Sequence, residues 1–248
     1  MMKRMGLQGR RGALGLVVAA AILVPATAQA QITRVSSSDH RQAIGFNIGY
    51  FALNAEDARP KDDVLRVDLE SLSFAIKDFN SATFGGEWLV GVNKFVEAGV
   101  GVGFYQRTVP SVYLDVVNAN NSEIEQELKL RTVPVTATVR FLPIGHGSVE
   151  PYVGAGIVVI KWRYSETGQF VDFSDNSIFR DSFSAKGSAI GPVILAGLRA
   201  PFADVWAIGG EVRYQKAEGD TKKNESGLLS DKIDLGGWTA SLTLHLRF

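Results

Sequence analysis

Eight segments of this sequence alternate between apolar residues and polar residues or glycine, and no other feature limits the possible folds as strongly. The last segment, WTASLTLHLRF at residues 238–248, places Trp238, Leu244 and Phe248 on one parity and its polar residues on the other. Successive side chains of a β-strand point to opposite faces, so each segment predicts a strand with one apolar face. The other seven segments span residues 43–51, 83–93, 96–105, 132–141, 151–162, 190–200 and 205–214.

The connections between these segments alternate in length. The short ones are residues 93–95, 142–150 and 201–204. The long, polar ones are residues 53–82, 107–127, 165–187 and 215–232. Alternate connections of an antiparallel meander lie at the same end, which is the layout of outer-membrane barrels with their short periplasmic turns and longer external loops. The sequence therefore predicts an all-β fold: an eight-stranded antiparallel up-and-down transmembrane β-barrel with short periplasmic turns and four long external loops.

Residues 1–30 have the order of a secretory signal peptide: a basic start, a short apolar run and the small-residue site Ala28-Gln29-Ala30. The apolar run is too short to be a comfortable membrane anchor. We expect residues 31–248 to form one outer-membrane β-barrel domain. Loss of four basic leader residues from the 26 in the chain leaves 22 against 26 acidic residues, a net charge of −4. This charge gives no indication of a nucleic-acid partner.

Alternation alone fits two kinds of barrel: a lipid-facing barrel with a polar lumen, and a soluble lipocalin-like periplasmic binding barrel with an apolar lumen. The polar parity is rich in glycine, which weakens a solvent-facing strand but fits the crowded interior of an eight-stranded barrel. On this basis Gly154 and Gly156 face inward in the fifth strand. The apolar stripes run for about 9 to 11 residues, the length that a tilted membrane strand needs. Aromatic residues lie near both ends of the stripes, as in membrane barrels: Tyr50, Phe104, Tyr214 and Trp238 toward the long loops, and Phe141, Trp206 and Phe248 toward the turns.

Several stretches carry a family resemblance. RTVPVTATVRFLP, VEPYVGAGI, WAIGGEVRYQ and the final LHLRF resemble the small outer-membrane barrels grouped as the opacity-like and OmpW-like β-barrel domain. The resemblance covers essentially the whole mature chain except the long loops, and it implies a cell outer membrane location. It also implies that Phe248 is part of the signal that the outer-membrane assembly machinery reads. Outer-membrane lipid and lipopolysaccharide are the other expected partners, and we expect a monomer.

The predicted lumen holds three acids and four arginines near charge balance, together with His245. Unpaired charges there would cost several kcal/mol each, so the sequence predicts a paired network. Glu97 and Arg140 lie near the turn end of adjacent strands. Two interpretations stay open: a plug that holds the barrel rigid and closed, and a gate whose pairs exchange to admit water or small ions. The residues of the predicted network are Glu87, Glu97, Arg140, Arg199, Glu211, Arg213 and Arg247.

One external loop, GQFVDFSDNSIFRDSF at residues 168–183, carries apolar residues beside acidic ones. These residues either pack against neighbouring loops or form an apolar mouth that passes a small hydrophobic ligand sideways into the lipid. They are Phe170, Phe173, Ile178, Phe179 and Phe183, with Val171 beside them.

Two other loops hold weaker patterns. Ser122-x-x-Glu125 resembles a helix capping box, but the parity of Ile124 and Leu128 favours an extension of the following strand. The alternation of VLRVDLESLSF at residues 64–74 predicts a hairpin that projects above the membrane.

The sequence gives little indication of catalysis. The absence of cysteine excludes disulfides, thiolate metal sites and cysteine nucleophiles. His40, His146 and His245 all map to the turn end, and none lies near an external serine or aspartate that it would activate. GVGVG at residues 99–103 lacks the helix and the Lys-Ser/Thr of a phosphate loop, and the acidic loops lack a calcium spacing. We therefore predict no enzyme, no cofactor and no metal. The expected role is structural, at the cell surface, or a small channel, and passage of hydrophobic ligands is the alternative.

Overall fold

The computed structural model describes residues 41–172, 174–175 and 177–248. Eight long antiparallel strands form a closed ring in which each pairs with its neighbours in sequence, and the first pairs with the last through positions such as Ile44 and Leu246. This confirms the predicted fold class. The strands are β1 (Gln42–Leu53), β2 (Ser81–Asn93), β3 (Val96–Val117), β4 (Glu123–Phe141), β5 (Glu150–Asp172), β6 (Ser177–Pro201), β7 (Trp206–Gln215) and β8 (Gly237–Arg247).

Within the membrane belt, the apolar parity of every strand faces outward. Ile48 and Leu242, which lie directly opposite each other on β1 and β8, are 65% and 66% exposed. An exposed apolar belt of this size needs lipid around it, so the soluble alternative with an apolar lumen and a polar exterior is wrong. Aromatic rings end the belt as predicted: Trp238 contacts Tyr214 with ring centroids 4.8 Å apart. Within the residues that the structure describes, no helix is long and apolar enough to cross a membrane.

Glycines on the other parity make room for large lumen side chains. A Cβ on Gly197 would lie 2.4 Å from the Tyr152 ring, and one on Gly45 would lie 2.7 Å from His245. In β5, Tyr152 and Val158 are buried on the parity of Gly154 and Gly156, which confirms the predicted inner face of this strand.

Four neighbouring strands, β3 to β6, are 19 to 25 residues long and rise above the membrane belt as one curved sheet. Two of the connections expected as long loops are therefore mostly strand, because β3 extends to Val117 before β4 begins at Glu123, and β5 extends to Asp172 before β6 begins at Ser177. Glu123–Phe141 is a continuous strand, and Ile124 and Leu128 are both buried on its inner face. The strand extension at Ser122 is thus confirmed over the helix cap.

The first and fourth external connections fold inward and cover the inner face of this tall sheet. The first contains a 3-10 helix (Glu56–Ala58), α1 (Val64–Asp68), a short strand (Leu72–Ser73) and a second 3-10 helix (Ile76–Phe79). The fourth contains two short strands (Glu218–Asp220 and Lys232–Asp234) around α2 (Lys223–Ser226). Asp63 binds Arg59 through its side chain at 2.7 Å and accepts the backbone N–H of Asp234 at 2.6 Å, which locks the two connections together.

The prediction of a projecting hairpin at residues 64–74 is wrong. Asp63 caps α1 by accepting the N–H of Arg66 at 3.3 Å. Val64, Leu65 and Asp68 then share the buried face of a helical turn. The alternating pattern also contains this helical spacing, and burial against the barrel wall selects the helix. Leu72–Ser73 is the strand part of the segment, and it pairs with residues 112–113 of β3.

Candidate functional site

The middle of the lumen is filled by an ion-pair cluster around Arg140, which is fully buried. Its Nη2 donates to Glu87 Oε2 at 2.5 Å and to Glu211 Oε2 at 2.9 Å. Arg213 donates from Nη2 to the other oxygen of Glu211 at 2.7 Å, and His245 Nε2 lies 3.1 Å from Glu87 Oε1. These residues come from four different strands, so the pairs bridge the barrel from wall to wall. We call this group the Arg140 cluster.

A second group, the Arg199 cluster, lies nearer the periplasmic turns. Arg199 donates from Nη2 to Glu97 at 2.6 Å and from Nε to Glu150 at 2.6 Å. Arg247 and His146 approach the other oxygen of Glu150 at 3.5 and 3.4 Å. Arg199, Glu97 and Glu150 are all buried, so this group occupies the turn end of the lumen as the Arg140 cluster occupies the middle.

The structure brings the seven predicted lumen residues into these two clusters. Glu87, Arg140, Glu211 and Arg213 belong to the first, and Glu97, Arg199 and Arg247 belong to the second. Glu97 and Arg140 lie directly opposite on β3 and β4, yet each pairs with a more distant partner across the lumen.

Two residues of the lumen clusters, Glu150 and Tyr152, were not predicted from the sequence. Glu150 is fully buried at the first position of β5 and shares the parity of Tyr152, a signal that was available. Tyr152 donates from its hydroxyl to Glu211 at 3.2 Å, and its ring lies 4.8 Å from the Arg140 guanidinium. It therefore completes the Arg140 cluster from a strand whose sequence is largely apolar.

The external part of the lumen contains a large hydrophobic cluster. Side chains of the first connection and of the fourth connection meet the inner face of β4 and β5 in one buried cluster, which we call the upper core. Tyr105 also donates from its hydroxyl to the carbonyl of Phe79. The upper core includes Val64, Leu65 and Phe79 from the first connection, Leu228, Ile233 and Leu235 from the fourth, and Leu128, Ile160 and Tyr164 from the wall.

Two buried carboxyl groups join α1 to the wall in this external region. Tyr164 donates from its hydroxyl to Asp68 Oδ2 at 2.8 Å, and the Glu166 carboxyl group lies close enough to Asp68 to raise its pKa. Asp68 and Glu166 are only 1% and 5% exposed. Burial raises the pKa of Glu166 from 4.5 to about 7, and burial together with the Glu166 charge holds the pKa of Asp68 well above its usual range. Both carboxyl groups therefore hold their protons to a higher pH than exposed carboxyl groups do.

The predicted aromatic loop is part of the β5–β6 hairpin. Phe170 is buried, stacks on Phe179 at 5.9 Å and meets Phe183 edge-on at 4.7 Å. Ile178 is half-buried beside them and lies opposite Val171. Phe173 lies outside the described residues. The described members thus pack mainly on one another.

The histidines and the acidic loops show no further site. His146 lies in the β4–β5 turn and His245 in the lumen, whereas His40 and residues 1–30 fall outside the part that the structure describes. Among the described residues, no group of three or more histidine, aspartate or glutamate side chains is arranged to hold a metal ion. The glycines of residues 99–103 lie within β3 against side chains such as Leu89 and Thr136.

Comparison with known proteins identifies the family of this chain but not its role. The sequence model of the outer membrane protein β-barrel domain matches residues 16–245. No curated protein sequence matches the chain significantly.

Three solved structures align over most of the chain. OprG from Pseudomonas aeruginosa has a TM-score of 0.48 at 12% identity, over 84% of this chain and 96% of OprG. Neisserial surface protein A has a TM-score of 0.46 at 11% identity, over 84% and 97%. The outer membrane protease OmpT from Escherichia coli has a TM-score of 0.40 at 11% identity, over 86% and 98%. At TM-scores below 0.5, these alignments say nothing about what this chain does.

Proposed function

Because this chain belongs to the outer membrane protein β-barrel domain family and resides in the outer membrane, we propose that it serves there as a closed, monomeric structural barrel. Its tall external sheet is then the part that the cell surface displays. One observation supports this role above the others: the Arg140 cluster, the Arg199 cluster and the upper core fill successive levels of the lumen. We therefore expect such a barrel to offer water and ions no continuous path.

The energetics favour a permanent plug over a gate. The pairs that Arg140 and Arg199 form with glutamates are buried, and removal of one partner of a buried pair typically costs about 3–5 kcal/mol. Opening the lumen would break several of them together. It would also expose the upper core, at roughly 25 cal/mol for each Å² of apolar surface. A gate that worked at neutral pH would need a source of free energy that offsets both the broken ion pairs and the exposed upper core.

Conductance in planar lipid bilayers tests this role. We expect the wild-type protein to give no unitary current steps. Replacement of residues 55–79 by a short Gly/Ser linker removes much of the upper core but leaves both ion clusters, so this variant should also stay silent. Adding Arg140→Ala and Arg199→Ala to the linker variant should produce a conducting pore. Steady unitary steps from the folded wild-type protein would show that the barrel is a channel.

Passage of hydrophobic ligands has weaker support. The ring of Phe170 packs against the rings of Phe179 and Phe183, which is typical of residues that stabilise a loop by packing. Deletion of residues 170–183 separates the two roles: uptake of a small hydrophobic probe that depends on this segment, in a variant that still inserts, would favour passage.

We also propose that the protein is not an enzyme. Among the described residues, both histidines lie below the external region, and the carboxyl pair of Asp68 and Glu166 is buried away from any substrate. Hydrolysis of a peptide or lipid-ester substrate by the purified protein, lost on substitution of one of these residues, would contradict this proposal.

A further inference from the structure

Five basic side chains lie together on the outer face of the tall sheet, where β4, β5 and β6 leave the apolar belt. All five are exposed and point outward. They form what we call the basic patch: Lys129, Arg131, Lys161, Arg163 and Lys186.

Strand register places three of these charges side by side. Arg131 lies directly opposite Arg163, and Arg163 lies directly opposite Lys186. Side chains at directly opposite positions have Cβ atoms about 4.5–5.5 Å apart, and like charges there destabilise a sheet. Across the part of the chain that the structure describes, no salt bridge is formed by any residue of the patch. The repulsion between these charges is not offset by an ion pair within the protein, so an anion bound from outside would stabilise the arrangement.

The level of the basic patch relative to the apolar belt shows which part of the membrane surrounds it. Directly below it, the outward residues Val159 and Ile190 are exposed and apolar, and Lys161 lies opposite Val133. The Arg131 guanidinium stacks over the ring of Phe104, the last aromatic residue of the belt on β3, at 5.4 Å. The patch thus lies at the boundary between hydrocarbon and headgroups, at the end that carries the long loops and therefore faces the outer leaflet.

We propose that the basic patch binds the phosphorylated sugar headgroup of an outer-leaflet glycolipid, with the acyl chains of that lipid lying against the apolar belt below. Arginine binds phosphate through two parallel N–H donors, and lysine adds a compact charge. Outward hydroxyl groups lie among the cations, because Ser165 is opposite Lys129 and Ser188 is opposite Lys161. The proposal depends on the outer-membrane location, and it holds whether or not the lumen conducts.

Native mass spectrometry of the folded protein, titrated with lipid A in detergent, tests the proposal. We expect lipid A with both phosphates to bind at least about tenfold more tightly than lipid A with both phosphates removed, since charge-assisted hydrogen bonds are lost. Equal affinity for the two lipids would overturn the proposal. Added inorganic phosphate should compete only weakly, and competition as strong as that of the lipid would assign the patch to free phosphate instead.

Matched variants connect the binding to these residues. The triple variant Arg131→Gln, Arg163→Gln and Lys186→Gln should lose the preference for phosphorylated lipid. Arg131→Lys with Arg163→Lys keeps the charge and should retain most of it. The control Lys61→Gln, Lys77→Gln and Arg180→Gln removes three exposed charges elsewhere and should bind as the wild type does. Heat-modifiable gel mobility verifies that each variant is folded. Retained preference in the patch variant, or equal loss in the control, would show that the patch is not the site.

Discussion

Replacement of Glu211 by glutamine removes the carboxylate on which the Arg140 cluster converges. One oxygen of Glu211 accepts from Arg140 at 2.9 Å and from Tyr152 at 3.2 Å, and the other accepts from Arg213 at 2.7 and 3.1 Å. A glutamine amide has one oxygen, so its NH2 group must face an arginine donor in either orientation. Arg140 keeps Glu87, but Arg213 keeps only a contact of 3.9 Å with it. Loss of one partner from a buried ion pair typically costs about 3–5 kcal/mol.

The free energy of unfolding in urea, measured in lipid vesicles at neutral pH, should therefore fall by about 3–5 kcal/mol in Glu211→Gln. Glu127→Gln is the matched control, because Glu127 is exposed on β4 and surface substitutions usually stay within about 0.5 kcal/mol. Addition of Arg140→Met to Glu211→Gln should cost less than the sum of the single losses, since the residues share one network. An unfolding free energy of Glu211→Gln equal to that of the wild type would show that the Arg140 cluster does not stabilise the barrel.

Three other predictions concern the ends and the external region of the chain. The carboxyl pair of Asp68 and Glu166 has raised pKa values. Its contribution to stability is therefore fully present below the ordinary carboxyl pKa and declines as pH rises through about 7. Hydrogen exchange of residues 64–68, corrected for intrinsic rates, should increase over that pH range, and Glu166→Gln should flatten the increase. Deletion of Phe248, whose backbone bonds Gln42 in both directions at 2.9 and 3.0 Å, should slow assembly in cells, measured as the ratio of folded to unfolded protein after a pulse; an unchanged ratio would contradict the insertion-signal role. Mass spectrometry of the exported protein should give a mature chain that begins at Gln31, and a retained leader would contradict cleavage.

The barrel strands were predictable because their period of two is a local property. A strand such as β8 alternates without interruption, and the lumen side needs glycine wherever a large residue such as Tyr152 or His245 lies opposite. The first connection was not predictable in the same way. From Val64 to Asp68 the sequence fits both a helical and an alternating pattern. Packing against the upper core selects the helix, and this packing depends on residues far away in the sequence.

The membership of the lumen clusters could be predicted better than their pairing. Parity places Glu87, Glu211 and Arg140 inside, but their contacts join strands that are far apart in sequence and are not hydrogen-bonded neighbours. Which arginine meets which glutamate depends on the stagger with which the sheet closes, and no local pattern encodes that stagger. The position of the basic patch, by contrast, follows from register and parity alone.

Accessibility of the mid-lumen to water tests the closed barrel most directly. The sequence contains no cysteine, so a single Thr136→Cys substitution at a buried, inward position of β4 gives one specific reporter. We predict that a membrane-impermeant thiol reagent leaves this cysteine unmodified from either side in intact membranes, while Asn120→Cys at an exposed hairpin tip reacts fully. Rapid modification of Thr136→Cys in the folded protein would contradict the closed lumen.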